Sequence, residues 1–357
     1  MKFSADIINW YEQYCRDLPW RRSRDPYLVW LSEVILQQTR VEQGKDYYIR
    51  FSSLYPDIES LANAGETDVL KAWQGLGYYS RARHLLQAAR QIMDVCHGVF
   101  PDTYEQILKL KGVGKYTAAA VASIAFGISI PVVDGNVKRV MSRIFGLESS
   151  GSRLYSEAEM MMKREMDPLR PGDFNQAVME FGALQCVPAN PSCHQCIFHH
   201  NCYAYANKKV TELPVRKPKA LPQTRHFNYL VIRFSGAAGS LIVKKRTEND
   251  IWKKLYDFPL IETDNPAGIR DLAETPQWKS IFRNGFLLRY VTPGIRHQLT
   301  HRTIMAKFFL LDLPDAGKLN MQPEWEMIPA GGVYQLPLPR LIERFVMKNM
   351  FRDFAGL

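Results

Sequence analysis

Four of the six cysteines, Cys186, Cys193, Cys196 and Cys202, fall within 17 residues at the spacing C-x6-C-x2-C-x5-C. Thiolates this close together chelate, and four-cysteine sets hold either a zinc ion or an iron–sulfur cluster. Zinc sites usually pair their ligands as two short C-x2-4-C steps. Only one such step is present, so the spacing leans toward iron–sulfur while zinc stays open. His194, His199 and His200 lie nearby as substitute ligands that four cysteines make unnecessary. Cys15 and Cys96 sit in helical patterns and read as core thiols.

Two carboxylates come next. Glu33 lies in Tyr27-Leu-Val-Trp-Leu-Ser-Glu-Val-Ile-Leu-Gln-Gln-Thr39, with Val29, Trp30 and Leu36 as its helical neighbours. A carboxyl on that apolar face has a raised pKa and suits a general acid near neutral pH. The plainer alternative is a glutamate at the edge of the face, reaching solvent. Asp134 follows the apolar run Ile128–Val133 and precedes Gly-Asn-Val-Lys-Arg-Val. It reads as a helix N-cap, and a cap that faces a pocket can also act in catalysis. One protonated and one ionised carboxylate suit cleavage of a glycosidic bond through an oxocarbenium-like transition state.

Leu110-Lys-Gly-Val-Gly-Lys-Tyr-Thr117 joins two helical patterns by a tight turn. Gly112 and Gly114 let backbone approach a partner closely. The turn opens a helix, so its N–H groups can point at phosphate. Lys109, Lys111 and Lys115 add charge, a combination suited to sequence-independent contact with a DNA backbone. The net charge of +10 points the same way. Residues 1–207 carry 22 basic and 22 acidic side chains, and the excess lies in 208–357, with 24 and 14. DNA binding combined with glycosidic cleavage indicates a base-excising enzyme.

These residues need elements to hold them. Apolar residues recur at helical spacing in 4–15, 27–39, 66–74, 81–96, 102–110, 115–126, 134–146, 154–166 and 173–185. Breaks such as Asp25-Pro26, Gly75-Leu-Gly77, Gly112-Val-Gly114 and Pro171-Gly172 separate them. Residues 208–225 hold six basic residues, one acid and three prolines, and read as an exposed basic linker. Beyond it, 227–234, 240–245 and 303–311 are strand-like and a last helix is expected at about 337–351. The fold class is therefore a mainly α N-terminal catalytic region plus an α+β C-terminal domain. No membrane span or export signal is expected, which implies a reducing compartment, cytoplasmic or nuclear.

Leu18-Pro-Trp-Arg-Arg22, Asp25-Pro-Tyr27, Ser32–Thr39, Gly75–Arg81, Leu110–Thr117, Val133-Asp-Gly-Asn-Val137 and the cysteine spacing together resemble the adenine DNA glycosylase (MutY) family of the endonuclease III, helix-hairpin-helix superfamily. The resemblance implies a helix-hairpin-helix glycosylase region at 1–207. Within it a six-helix barrel would span about 25–132, and an iron–sulfur domain would be built from about 1–24 and 133–207. It implies a [4Fe–4S] cluster on the four cysteines. It further implies a Nudix-like 8-oxoguanine-recognition domain at 226–357. The expected partner is duplex DNA with an adenine·8-oxoguanine mispair, bound by a monomer, with no membrane partner. Adenine would be extruded, because the bond cannot be attacked inside the stack. By resemblance, Glu33 protonates adenine, Asp134 stabilises the sugar cation and Asn136 orients the groups. Gln38, Leu76 and Tyr78 would fill and wedge the duplex, while Trp20, Arg21 and Gln176 line the base pocket. Gly112, Gly114 and Lys115 would contact DNA. Carbonyls of Leu108, Leu110 and Val113 would hold an alkali or calcium ion.

One position decides the reaction type. Bifunctional relatives carry a Schiff-base lysine after G-V-G-x, where this chain has Tyr116. A monofunctional glycosylase that leaves an abasic site is expected, any weak lyase activity falling to Lys138. Two departures stand out. The 187–192 loop has no Arg or Lys, and Leu299, Thr300 and His301 stand where relatives carry the lesion-sensing Phe-Ser-His. No Nudix box G-x5-E-x7-R-E-x2-E-E is present, so pyrophosphatase activity is not expected. The alternatives are a thymine or uracil mismatch glycosylase of the same superfamily, and a DNA-binding iron–sulfur protein without catalysis.

Overall fold

A computed structural model describes residues 2–215, 222–234, 239–283, 286–314 and 316–350. The first half is helical: α1 (Phe3–Tyr14), α2 (Pro26–Leu36), α3 (Val41–Leu54), α4 (Ile58–Ala62), α5 (Glu66–Ala72), α6 (Ser80–Cys96), α7 (Tyr104–Leu108), α8 (Lys115–Phe126), α9 (Gly135–Phe145), α10 (Gly151–Glu165), α11 (Pro171–Leu184) and α12 (Tyr203–Ala206). The periodic segments of the sequence all become helices. Helix α3 has no counterpart among those segments. Its buried residues are Gly44, Tyr48 and Phe51, too few apolar positions to announce a helix by period.

Local chemistry sets the helices that matter. Asp25 caps α2 by accepting from the Leu28 amide, with Pro26 at the first turn. At the other end of α2, the buried Arg81 guanidinium donates to the carbonyls of Val34 and Ile35, both at 2.8 Å. Those are among the carbonyls that a helix C-terminus leaves without partners. Asn175 on α11, fully buried, accepts from the Val132 amide and donates to the Ile130 carbonyl and Ser123 hydroxyl. This holds the extended run that delivers Asp134 to the start of α9.

The chain forms two compact units, 1–64 with 81–218, and 65–80 with 219–357. In the first, one apolar cluster joins α1, α9, α10 and α11 through Ile7, Val140, Met162 and Phe181. Part of the expected linker packs here, since Leu213 is buried and its carbonyl accepts from Arg143. Residues 216–221 of that stretch lie outside the described residues.

The second unit is α+β. Its mixed sheet comprises β1 (Gln223–Phe234), β2 (Ser240–Lys245), β3 (Tyr256–Asp257), β4 (Leu260–Thr263), β5 (Leu287–Val291), β6 (Ile295–Gln298), β7 (Arg302–Leu313) and β8 (Trp325–Pro329). The order β3-β2-β1-β7-β5 places β1 parallel to β7 over twelve paired residues, with β4 on β1, β6 on β7 and β8 on β2. Strand β1 starts four residues earlier than expected and takes in the end of the basic linker. Helices α13 (Ile269–Ala273), α14 (Pro276–Ile281) and α15 (Arg340–Phe345) complete the unit. The last continues as a π-helical turn, Val346–Met350; residue 351 of the expected 337–351 helix lies outside the described residues. The arrangement is consistent with a Nudix-like domain.

Candidate active site

Glu33 stands in the third turn of α2, and only 9% of its surface is exposed. The edge-of-face alternative is therefore excluded. Burial pushes its carboxyl up from 4.5 to about 7. A hydrogen bond from Tyr116 opposes the shift, and the charge of Asp134 adds to it. Tyr116 sits in the first turn of α8, directly after the glycine hairpin.

Asp134 is the N-cap of α9 and lines the same cavity. Its Oδ1 accepts from the Val137 amide at 2.7 Å and its Oδ2 from Asn136 Nδ2 at 3.0 Å. Burial raises its pKa, and these two donors oppose the rise. The two carboxyls therefore differ in kind. Glu33 is buried beside the Tyr116 phenol, whose hydroxyl also lies 3.5 Å from Met179 Sδ, whereas Asp134 has a helix N-terminus and an amide to stabilise its charge.

Both face a cavity of about 210 Å³. Roughly 150 Å³ accommodates a benzene ring, so there is room for a planar bicyclic base. Trp20, Arg21, Asn136 and Gln176 are among the residues that line it. Sequence reasoning missed Arg16 and Glu180. Glu180 is 2% exposed and accepts bidentate hydrogen bonds from both Arg16 and Arg21, at 2.6–3.0 Å. Burial alone would raise the Glu180 carboxyl, yet the two guanidiniums hold it at about 2. A signal exists in the sequence: Glu180 follows Gln176 by one helical turn inside an otherwise apolar stretch. Lys115 is exposed and Lys138 lines a different cavity with Arg139 and Pro214, so neither amine lines this one.

The hairpin is a tight turn between α7 and α8, closed by the Val113 amide on the Leu110 carbonyl at 3.1 Å. Gly112 has φ +76°, and a Cβ there would stand 2.4 Å from that of His84. No side chain could occupy the position. Lys111, Gly112, Gly114 and Lys115 are exposed, while Leu110 and Val113 are buried and Leu108 half-buried. Gln38 is exposed at φ +56°, on a turn held by Gln37 donating to Thr117 at 3.0 Å. In the second unit Leu76 is buried at 7%, whereas Tyr78 is 46% exposed. Thr300 and His301 are exposed at the turn between β6 and β7, closed by the Leu299 amide on the Arg302 carbonyl.

The four cysteines line a second cavity, with Arg143, Phe181 and His199 among its walls. Burial pushes the Cys196 thiol up to about 11 and raises those of Cys193 and Cys202. Helix α9 reaches both places. Its cap holds Asp134. Its Arg139 donates to Asn136 Oδ1 at 2.8 Å and to the Gly182 and Cys186 carbonyls at 2.6 and 2.7 Å. Arg143, one turn on, donates to the carbonyls of Val187 and Pro188, with Nη1 3.6 Å from Cys186 Sγ. Gly182 makes this approach possible, because a Cβ there would stand 2.7 Å from that of Asn136.

Residues 31–166, which include Glu33, the hairpin and Asp134, match the family model of the HhH-GPD superfamily base excision DNA repair proteins. The adenine DNA glycosylase of Buchnera aphidicola subsp. Baizongia pistaciae is 34% identical over 264 residues, covering 72% of this chain and 73% of that protein. The chain belongs to the adenine DNA glycosylase family. It is thus one of the DNA glycosylases, enzymes that hydrolyse N-glycosyl bonds. Among solved structures, a thermostable thymine-DNA glycosylase is similar at 31% identity and TM-score 0.53, covering 57% of this chain and 95% of that one. A trapped endonuclease III–DNA intermediate matches at 21% identity and TM-score 0.51, over 57% and 94%, a likeness of fold. Among the described residues of this glycosylase, no helix is long and apolar enough to cross a membrane.

Proposed function

We propose that the protein hydrolyses the N-glycosidic bond of adenine mispaired with 8-oxoguanine or guanine in duplex DNA, as a monomer acting in base excision repair. The observation that carries this is the pair of unlike carboxyls, Glu33 and Asp134, on one base-sized cavity. A target base must leave the stack to be attacked, and this cavity would receive it. Glu33, protonated near neutral pH, gives its proton to N7 of adenine, which makes the base a leaving group. As the bond breaks, positive charge develops on the sugar, and ionised Asp134 faces it. Asn136 and the α9 cap hold Asp134 in place, and Tyr116 holds Glu33. Water adds to the sugar and the products are free adenine and an abasic site. With tyrosine in place of the Schiff-base lysine, the strand stays intact. The hairpin amides and Lys111 and Lys115 grip phosphate; the carbonyls of Leu108, Leu110 and Val113 are oxygen donors that suit a hard cation. Gln38 and Tyr78 are exposed to enter the duplex, and Thr300 and His301 to read the opposite base.

The cysteine donor set fits an iron–sulfur cluster. The four cysteines line one cavity. Buried thiols with raised pKa values are stable as thiolates only beside a cation. When bound, the cluster would supply that charge and fix the 186–202 loop.

The test uses a duplex with adenine opposite 8-oxoguanine, treated with enzyme and then alkali. A break at the adenine is expected only after alkali. No break from folded, iron-loaded protein, or a break at thymine in a G·T duplex in its place, would overturn the assignment.

A further inference from the structure

The segment 65–80 lies early in the chain, yet it is built into the second unit with 219–357. Lys71, Gln74 and Tyr79 are among the side chains that fasten it there. The Lys71 ammonium donates to the carbonyls of Tyr334 and Leu336, at 2.6 and 3.1 Å, and to Gln74 Oε1 at 3.2 Å. Gln74 Oε1 also accepts from the Leu338 amide at 3.1 Å. The Tyr79 hydroxyl, in a buried contact, donates to the Leu338 carbonyl at 3.0 Å. Together they satisfy backbone groups of the stretch 334–338, which runs from the end of a 3-10 helix (Ala330–Gln335) toward α15. A second contact lies at the far end of the segment. The Tyr78 and Thr300 hydroxyls are 2.5 Å apart. Both residues are exposed, so both are available to DNA while bonded to each other. Tyr78 holds φ +48° in a turn whose Gly75 and Gly77 are also positive, at +94° and +80°, a geometry that needs support from outside itself.

We propose that Lys71, Gln74 and Tyr79 are positioning residues for reading the base opposite the adenine: they bolt the Gly75–Tyr78 turn to the 334–338 stretch, so that Tyr78 and Thr300 meet that base as one rigid reader. The proposal deepens the functional reading above and rests on it. The chemistry of the reader is specific. In 8-oxoguanine N7 carries a hydrogen, whereas in guanine N7 is a lone-pair acceptor. Either hydroxyl can be the donor; with Thr300 donating to Tyr78, its oxygen can only accept, and it then favours 8-oxoguanine. A Thr300 free to rotate can donate or accept, and it distinguishes the two purines less. The clasp therefore acts on selectivity more than on the strength of DNA binding.

The experiment measures binding to two duplexes, with adenine opposite 8-oxoguanine or opposite guanine, in the Glu33→Gln background, so that the result does not depend on excision. Lys71→Met and Tyr79→Phe keep bulk and remove the fastening bonds of those two side chains, leaving the one from the Leu338 amide to Gln74. Combined, they should lower the 8-oxoguanine preference about fivefold to tenfold, up to about 1.4 kcal/mol, while affinity for the guanine duplex stays within a factor of two or so. With the clasp broken, Thr300→Val should cost no further preference, although with the clasp intact it costs as much, and there Thr300→Ser should keep the preference. Equal losses on both duplexes with the preference intact would overturn the proposal. So would a full Thr300→Val effect after the clasp is broken. Thermal melting identifies a variant that fails to fold, and the single Tyr79→Phe change, which removes one hydroxyl, then carries the same test. Failure of the parent enzyme to release adenine would refute the functional reading separately.

Discussion

Replacing Glu33 with glutamine should stabilise the protein, and by an amount that depends on pH. Burial raises the Glu33 carboxyl from 4.5 to about 7. That is a shift of roughly 2.5 units at about 1.36 kcal/mol each, or about 3 kcal/mol. The sign follows from proton binding. Between about pH 4.5 and 7 the folded state keeps a proton that the unfolded chain has lost, so stability contributed by the neutral acid falls as pH rises through that window. Below pH 4 or so both states are protonated, and acid and amide should be similar. At pH 8 the folded wild type carries a buried charge that glutamine avoids. Thermal melting of Glu33→Gln and wild type at half-unit steps from pH 4.5 to 8.5 measures the difference. For a unit of this size about 3 kcal/mol corresponds to roughly 6–12 °C in melting temperature at the alkaline end, shrinking toward zero at the acid end. A difference that is flat with pH, or glutamine the less stable at pH 8, would refute the reasoning, because Glu33 would then be solvated or paired. The stability lost at Glu33 is what makes the group an acid at neutral pH, as expected where function and folding conflict.

Three further outcomes follow from the geometry. Glu180→Gln leaves Arg21 buried with its charge uncompensated and should destabilise by about 3 kcal/mol, read by urea denaturation; a change near zero would mean that the Arg16–Glu180–Arg21 cluster is solvated. Gly112→Ala forces a Cβ into His84 at positive φ and should cost at least about 2 kcal/mol or an order of magnitude in duplex affinity, measured by melting and anisotropy. Cys196→Ser should abolish thiolate-to-iron absorption in the visible and loosen the 186–202 loop; zinc without iron in the purified wild type would contradict the cluster.

Much of this site is legible in the amino-acid sequence. The cysteine spacing, the hairpin, Asp134 as a cap and the apolar face around Glu33 are local patterns, and each is set by residues within one or two turns. What is not legible there is long-range. Glu33 reads equally as edge or core until the Tyr116 and Asp134 elements stand around it. The Arg16–Glu180 and Arg21–Glu180 pairs join residues 164 and 159 positions apart. Helix α3 escapes notice because its inward face is narrow. The short strands β3, β4, β6 and β8 hold two to five residues each, too few for alternation to register. The contact of Tyr78 with Thr300 spans 222 positions, and it needs the β6–β7 turn and the 65–80 segment to be folded into one unit.

The central claim is that Glu33 works as a protonated acid opposite an ionised Asp134. The pH dependence of kcat/KM for adenine release tests it most directly, since that quantity reports groups in the free enzyme. Above about pH 7, the value to which burial brings Glu33, the rate should fall toward tenfold per unit. On the acid side it should rise with pH as Asp134 ionises. A rate that climbs through pH 7 and stays high to pH 9 would contradict the account, because the group acting there would be a base.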